Sequence, residues 1–258
     1  MKSKMVQQIA VSLIFAYILF GIYIYFMQSK LIYYPDNQDF FQCEGFNDYE
    51  KVEYKATRFY YLKQNNDVMI FYHGNAGSAC DRSFLKSLFE STGKSLVFVE
   101  YAGYSNHKSS PNKKLILQDV ENMIGWIKDK NFGQVAVIGE SIGAGAASYH
   151  ASLGKVDSLL LLGSFSSAVR AAPWLYKIYP LRILMTENYD NVEYLQKYPS
   201  KILFIHGSKD FIINSKHSRE LFDTLDKADR EYFLVEGAGH NDLFDFDEVR
   251  SKIRKFLS

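Results

Sequence analysis

The hydrophobic positions follow three patterns along the chain. The first is a run with no polar face: Ile9 to Met27 reads IAVSLIFAYILFGIYIYFM, 19 residues without a charge. A bilayer-spanning helix needs about 20 such residues, whereas the apolar core of a signal peptide is about 7–15 residues and is followed by a small-residue cleavage site. The next residues, QSKLIYYP, offer no such site. The run therefore predicts an uncleaved transmembrane anchor over residues 1–29, in contact with lipid through residues 9–27. A buried core helix fits less well, because such a helix in a small protein usually keeps a polar stripe.

The second pattern is a series of short apolar runs: VMIFYH from Val68, SLVFVEY from Ser95, VAVIG from Val135, SLLLLG from Ser158, KILFIHG from Lys201 and EYFLVEG from Glu231. Most lack polar alternation, which predicts strands buried on both faces of a parallel sheet. Before them, KVEYKATRFYYLK (Lys51–Lys63) alternates and predicts one strand or a hairpin. The third pattern is helical. In SSPNKKLILQDVENMIGWIKDK, Ser110 is placed to cap the helix, with Pro111 at its first position. NSKHSRELFDTLDKA (214–228) and FDFDEVRSKIRKFL are amphipathic at the same period. Alternating strands and helices predict a mostly parallel, doubly wound α/β sheet with helices on both faces. Residues 30–258 are expected to form one domain. Within it, residues 165–199 are too long for a simple connection and predict a small helical cap over a binding pocket.

Composition narrows the class. Lys and Arg total 30 against 29 Asp and Glu, which leaves no basic surplus for nucleic acid. The two cysteines, Cys43 and Cys80, form no CxxC; free thiols are favoured, with pairing in an oxidising compartment the alternative. Lys2, Lys4 and the terminal amine precede the anchor and Lys30 follows it, so the positive-inside bias favours a non-cytoplasmic catalytic domain on a single-pass protein.

The chemistry centres on Gly139-Glu140-Ser141-Ile142-Gly143, a G-x-S-x-G pattern between a predicted strand and a predicted helix. That context lets a serine project from a strained turn above the sheet, with small residues on either side admitting close strand–helix approach. A serine hydroxyl needs a base, and the base needs a carboxylate to orient it. Of six histidines, His150 and His217 fall in predicted helices, His107 in a polar loop, and His206 at a strand end where it packs or bonds locally. His240 lies in a Gly-bounded loop after the last strand and is the expected base. Asp210, just past the preceding strand, is the expected carboxylate. Its rivals Glu236 and Asp242 lie close to His240 in sequence, and Asp242 is placed to cap the final helix. The order Ser141, Asp210, His240 is that of an α/β-hydrolase. Backbone N–H groups of Ile142 and Asn75 are expected to hold an oxyanion, the latter from the FYHGNAGS loop in which His73 serves as an anchor. Metal and nucleotide motifs of the HExxH, DxDxDG and GxxxxGK[ST] types do not occur, and no metal or cofactor is expected.

The segments KLIYYP, YHGNAGS, GESIG, HGSKDFIINSKHSRELF and GAGHND together resemble the membrane-anchored branch of the serine α/β-hydrolase superfamily. That branch holds protein depalmitoylases and enzymes like lysophospholipases and monoacylglycerol lipases. The resemblance covers residues 30 to 242. It implies hydrolysis of acyl esters or thioesters, of lipids or lipidated molecules, through an acyl-enzyme. Peptidase or acyltransferase chemistry on the same residues, or a non-catalytic binding protein of this fold, are the alternatives. Two departures stand out. Where the family carries an Asp-Tyr-Arg-Gly-Tyr-Gly-like stretch, this chain has Glu100-Tyr101-Ala102-Gly103-Tyr104-Ser105 and lacks the arginine, and its first hairpin is short and has no turn glycine.

Overall fold

The computed structural model describes residues 2–225 and 229–258. The N-terminal apolar run belongs to one unbroken helix, α1 (Lys2–Ile32), longer than the run at both ends. It is long and apolar enough to cross a membrane, and most of its apolar side chains are exposed. Directly after it, β1 (Tyr34–Pro35) returns to the body of the protein.

The hairpin forms as β2 (Glu50–Tyr54) and β3 (Thr57–Leu62). Its two turn residues, Lys55 and Ala56, have φ of 49° and 71° without being glycines. Such a turn matches the twist of the flanking strands at a steric cost that glycine would avoid, and the Asn122 amide holds it by donating to the Lys55 carbonyl at 3.0 Å.

The six apolar runs all become strands. β4 (Val68–Tyr72) is followed by the short β5 (Ala76–Gly77), α2 (Lys86–Glu90) and β6 (Ser95–Glu100). Then come α3 (Lys113–Lys130), β7 (Val135–Glu140), α4 (Gly143–Leu153) and β8 (Ser158–Leu162). The insertion after β8 contains α5 (Ala168–Ala171), α6 (Leu181–Leu184) and α7 (Asn191–Leu195). The chain ends with β9 (Lys201–Gly207), α8 (Lys216–Thr224), β10 (Arg230–Val235) and α9 (Asp247–Leu257). The last residues of the stretch expected to be helical through Ala228 lie outside the described residues.

The sheet order is β10-β9-β8-β7-β4-β6-β3-β2, parallel from β10 to β6 and antiparallel at the hairpin. Each parallel strand serves two cores. Ile70, Val97 and Leu161 face one side with α3 and α4, and Phe71, Phe98 and Leu160 face the other with α2 and α9. Burial on both faces explains why these strands read as continuous apolar runs. The chain reverses direction across the sheet at β4, which lies between β6 and β7, and opens a crevice at the carboxyl ends there.

Two expectations are corrected. The N-cap of α3 is Asn112, whose side chain accepts from Leu115 N–H at 3.0 Å, while Pro111 packs over Gly103 instead of opening the helix. Cys43 and Cys80 are joined in a disulfide with a Cα–Cα distance of 5.9 Å. They meet because β1 and β5 pair in parallel, Tyr34 with Ala76 and Pro35 with Gly77, so the segments leaving those strands run side by side. The insertion is helical in short pieces and packs against α1: Tyr179 stacks on Tyr17 with ring centroids 4.4 Å apart.

Candidate active site

Ser141 sits at the junction of β7 and α4 with φ of 55°, a left-handed conformation that costs a non-glycine residue on the order of 1–3 kcal/mol. Its N–H donates to the Leu162 carbonyl at 2.8 Å, and its carbonyl accepts from Ala144 at 3.0 Å. The flanking glycines are demanded by close approach. A Cβ on Gly139 would lie 2.5 Å from the Gly143 carbonyl oxygen, and one on Gly143 would lie 2.3 Å from that of Tyr72. The tight turn leaves the hydroxyl at the carboxyl edge of the sheet.

The loops after β9 and β10 bring the other two residues to it. His240 Nε2 lies 2.9 Å from Ser141 Oγ, and His240 Nδ1 lies 2.6 Å from Asp210 Oδ2. An ionised carboxylate only accepts, so Nδ1 carries the proton and donates it, and neutral Nε2 accepts the serine hydroxyl. Ser141 and Asp210 are buried, and His240 is half-buried. Burial pushes the Asp210 carboxyl up, but the hydrogen bonds from His206 and His240, the His240 charge and the Ile213 N–H outweigh it, and Asp210 is held well below the usual carboxylate range. It stays ionised at neutral pH.

His206 is the neighbour for which the sequence suggests only local packing. It is fully buried, and its Nε2–H is shared between the Ile213 carbonyl at 2.8 Å and Asp210 Oδ2 at 3.0 Å. The Ile212 and Ile213 N–H groups donate to the other carboxylate oxygen, at 2.9 and 2.8 Å. Asp210 is thus fixed from four directions. The spacing of His206 and Asp210, four residues apart across a strand end, is the only sequence signal for this pairing.

Asp242 does not cap the final helix. Its Oδ1 accepts from Gly239 N–H at 2.7 Å and so shapes the His240 loop, while Phe246 stands at the start of α9. Glu236 accepts from Ser208 Oγ at 3.1 Å on the surface. His150 is buried in α4 with Nδ1 2.9 Å from the Tyr72 hydroxyl, and burial lowers it to about 3. It takes no part in the cluster.

The loop after β4 is held from behind. His73 is fully buried, with Nδ1 2.8 Å from the Gly74 carbonyl oxygen and Nε2 facing Glu100 across 3.5 Å. Asn75 ties this loop to α1: its side chain donates to the Ile32 carbonyl at 2.8 Å, and its own carbonyl accepts from Tyr34 N–H at 2.9 Å and from the Tyr104 hydroxyl at 2.7 Å. Ile142 lies at the N-terminal end of α4, where N–H groups lack intrahelical partners. Arg58 from β3 clamps the carbonyls of Tyr104 and Ser105, just beyond Ala102, at 2.6 and 3.0 Å.

A cavity of about 380 Å³ opens at Ser141 and His240, walled by Phe84, Leu243, Phe244 and the Arg82–Glu140 pair. That pair is bidentate, both N···O distances being 3.0 Å. The sequence holds no sign of it, since Glu140 occupies a variable position of the serine motif and Arg82 lies far away in the chain. Among the described residues, none of those that line the cavity comes from 165–199. Among the described residues no group of three or more His, Cys, Asp or Glu is placed to hold a metal ion.

Such a relay can activate a hydroxyl for attack on a carbonyl. No family model matches the chain. An uncharacterized protein of Mycobacterium tuberculosis is 29% identical over 191 residues, covering 72% of this chain and 68% of that one. Alpha/beta hydrolase domain-containing protein 17B of Homo sapiens is 26% identical over 201 residues, covering 74% and 66%. The chain thus matches about two thirds of the length of these relatives. Among solved structures, a Pyrococcus furiosus esterase superposes with a TM-score of 0.67 at 16% identity, covering 88% of this chain and 97% of that one. A monoacylglycerol lipase of Paleococcus ferrophilus gives 0.61 at 13%, covering 78% and 98%.

Proposed function

We propose that this chain, which has the α/β-hydrolase fold, is a membrane-anchored serine hydrolase of acyl esters or thioesters, its substrates lipids or lipidated molecules. The observation that carries this reading is the hydrogen-bonded line from Ser141 through His240 to Asp210 beside an open cavity. Ser141 Oγ attacks the acyl carbonyl as His240 Nε2 takes its proton, and Asp210 holds the imidazole in the tautomer that can do so. The oxyanion rests on the N–H groups of Asn75 and Ile142. His240 returns the proton to the leaving group, and water then releases the acyl group by the same route.

The anchor supports a lipid-like substrate, since it holds residues 30–258 at the bilayer while residues 1–29 carry the span. The Cys43–Cys80 disulfide supports a domain on the non-cytoplasmic side, because such bonds persist in oxidising compartments. That agrees with the lysines before the span.

The test is a fluorophosphonate probe on the detergent-solubilised protein, wild type against Ser141→Ala, followed by acyl esters of several chain lengths, an acyl thioester and a peptide. Wild type is expected to label and to turn over esters or thioesters, and the variant to do neither. Equal labelling of both proteins removes Ser141 as nucleophile, and turnover of the peptide alone removes the substrate class.

A further inference from the structure

The contact between α1 and the insertion has a consequence for the membrane, resting on α1 being the span. The apolar run of α1 ends at Met27, and Tyr17 lies ten residues before it, about 15 Å along the helix. That is about half of a hydrocarbon core of about 30 Å. The insertion reaches this depth. Tyr179 stacks on Tyr17 and would meet any Cβ placed on Gly21 at 2.9 Å. Ile24 buries itself with Tyr179 and Leu181. Tyr17 Oη donates to the Ile178 carbonyl and Tyr179 Oη to the Tyr17 carbonyl, both at 2.9 Å. We infer that Pro173–Met185 is a membrane-dipping element, docked on α1 and immersed in the near leaflet.

The chemistry of the segment suits that place. Ile183 is 80% exposed and Ile178 55% exposed, apolar surface that only lipid would cover. Backbone groups in lipid must be satisfied internally. The N–H groups of Tyr179, Leu181, Ile183 and Met185 all donate to nearby carbonyls of the same segment, and Pro173 and Pro180 have none to satisfy. Lys177 turns back toward the domain to donate to the Arg170 carbonyl at 3.1 Å, and the long side chain of Arg182 can extend its charge to the headgroups.

Nearer the domain the contact turns polar, as headgroup depth requires. Gln28 donates to the Leu184 carbonyl at 3.3 Å and accepts from Thr186 N–H at 2.8 Å. Buried Glu187 accepts from Tyr33 Oη at 2.8 Å and from Lys113 N–H at 2.6 Å. The end of α1 is tied to the loop at the carboxyl end of β4, where the Asn75 side chain donates to the Ile32 carbonyl at 2.8 Å, so the carboxyl edge that bears Ser141 faces the leaflet. Phe211, immediately after Asp210, is 93% exposed on that same edge. On the proposed hydrolase reading, this geometry presents the cavity to an ester or thioester at the headgroup level of the bilayer.

The test uses the full chain in phosphatidylcholine vesicles, with single cysteines at Ile183, Phe15 and Leu153 labelled with an environment-sensitive fluorophore. Labelling without reductant leaves the Cys43–Cys80 bond closed. Leu153 ends α4 at the opposite edge of the sheet and is exposed. The expected result is quenching by doxyl lipids at Ile183→Cys and Phe15→Cys, with iodide quenching several-fold weaker than at Leu153→Cys. Iodide quenching at Ile183 equal to that at Leu153, with Phe15 still lipid-quenched, overturns the dipping element and leaves the span intact. Iodide access at Phe15 as well overturns both. Ile178→Cys repeats the measurement if Ile183→Cys does not fold.

Discussion

Removing the Cys43–Cys80 bond is a perturbation whose size can be worked out from the chain. The two residues are 37 apart in sequence. Closing a loop of that length lowers the entropy of the unfolded chain enough to be worth about 4 kcal/mol at 25 °C in the chain-entropy account. For a domain of this size that amounts to about 8–16 °C in melting temperature. Cys43 is fully buried and Cys80 nearly so, so a Cys43→Ala/Cys80→Ala variant adds a small packing loss, whereas reduction of the wild-type protein adds none. Thermal melts in one detergent, oxidised against reduced and against the double variant, should therefore show two large drops of similar size. The bond also tethers the loop that carries Arg82 and Phe84 in the cavity wall, so reduced protein should bind substrate less tightly before it unfolds. The reasoning is refuted if both cysteines alkylate in the native, non-reduced protein, or if reductant leaves the melting temperature unchanged.

Asp210→Asn should cost about 10³–10⁴ in kcat with little change in KM, because an amide facing His240 Nδ1 favours the tautomer that cannot accept the Ser141 proton. Steady-state kinetics on a soluble short-chain ester check it, and a loss under tenfold would contradict the assigned tautomer. Gly143→Ala forces its Cβ into the Tyr72 carbonyl and should displace Ser141 enough to lower kcat by at least about a hundredfold, measured on protein whose circular dichroism matches wild type. His150 should contribute to acid unfolding. Burial lowers it to about 3 in the folded state against an ordinary 6.5, so the unfolded chain binds the extra proton and stability falls as pH drops from about 6.5 toward about 3. Burial raises Asp119 to about 6, which opposes this trend over part of the window but cancels when wild type is compared with His150→Gln. The variant should show a shallower loss in denaturant melts across that range, and parallel slopes would count against the buried neutral imidazole.

The local pattern was enough for the elements and for which strand ends carry the side chains that meet. Each of the six apolar runs became a strand because a strand covered on both faces has no solvent side to mark with polar residues. Ser141, Asp210 and His240 were legible because each follows such a run, and chain order in a parallel sheet puts all those ends on one edge. The pairings between distant segments lay beyond sequence. The disulfide formed where free thiols were expected, since only the β1–β5 pairing brings Cys43 beside Cys80. His206 shares its proton with Asp210, and Asp242 bonds the His240 loop instead of a helix end, because loop geometry decides which neighbour a side chain meets. The insertion lies along α1, through Tyr17 and Tyr179, 162 residues apart. Periodicity records which face of an element is buried; it carries no record of what buries it, and that was decided only when the chain packed.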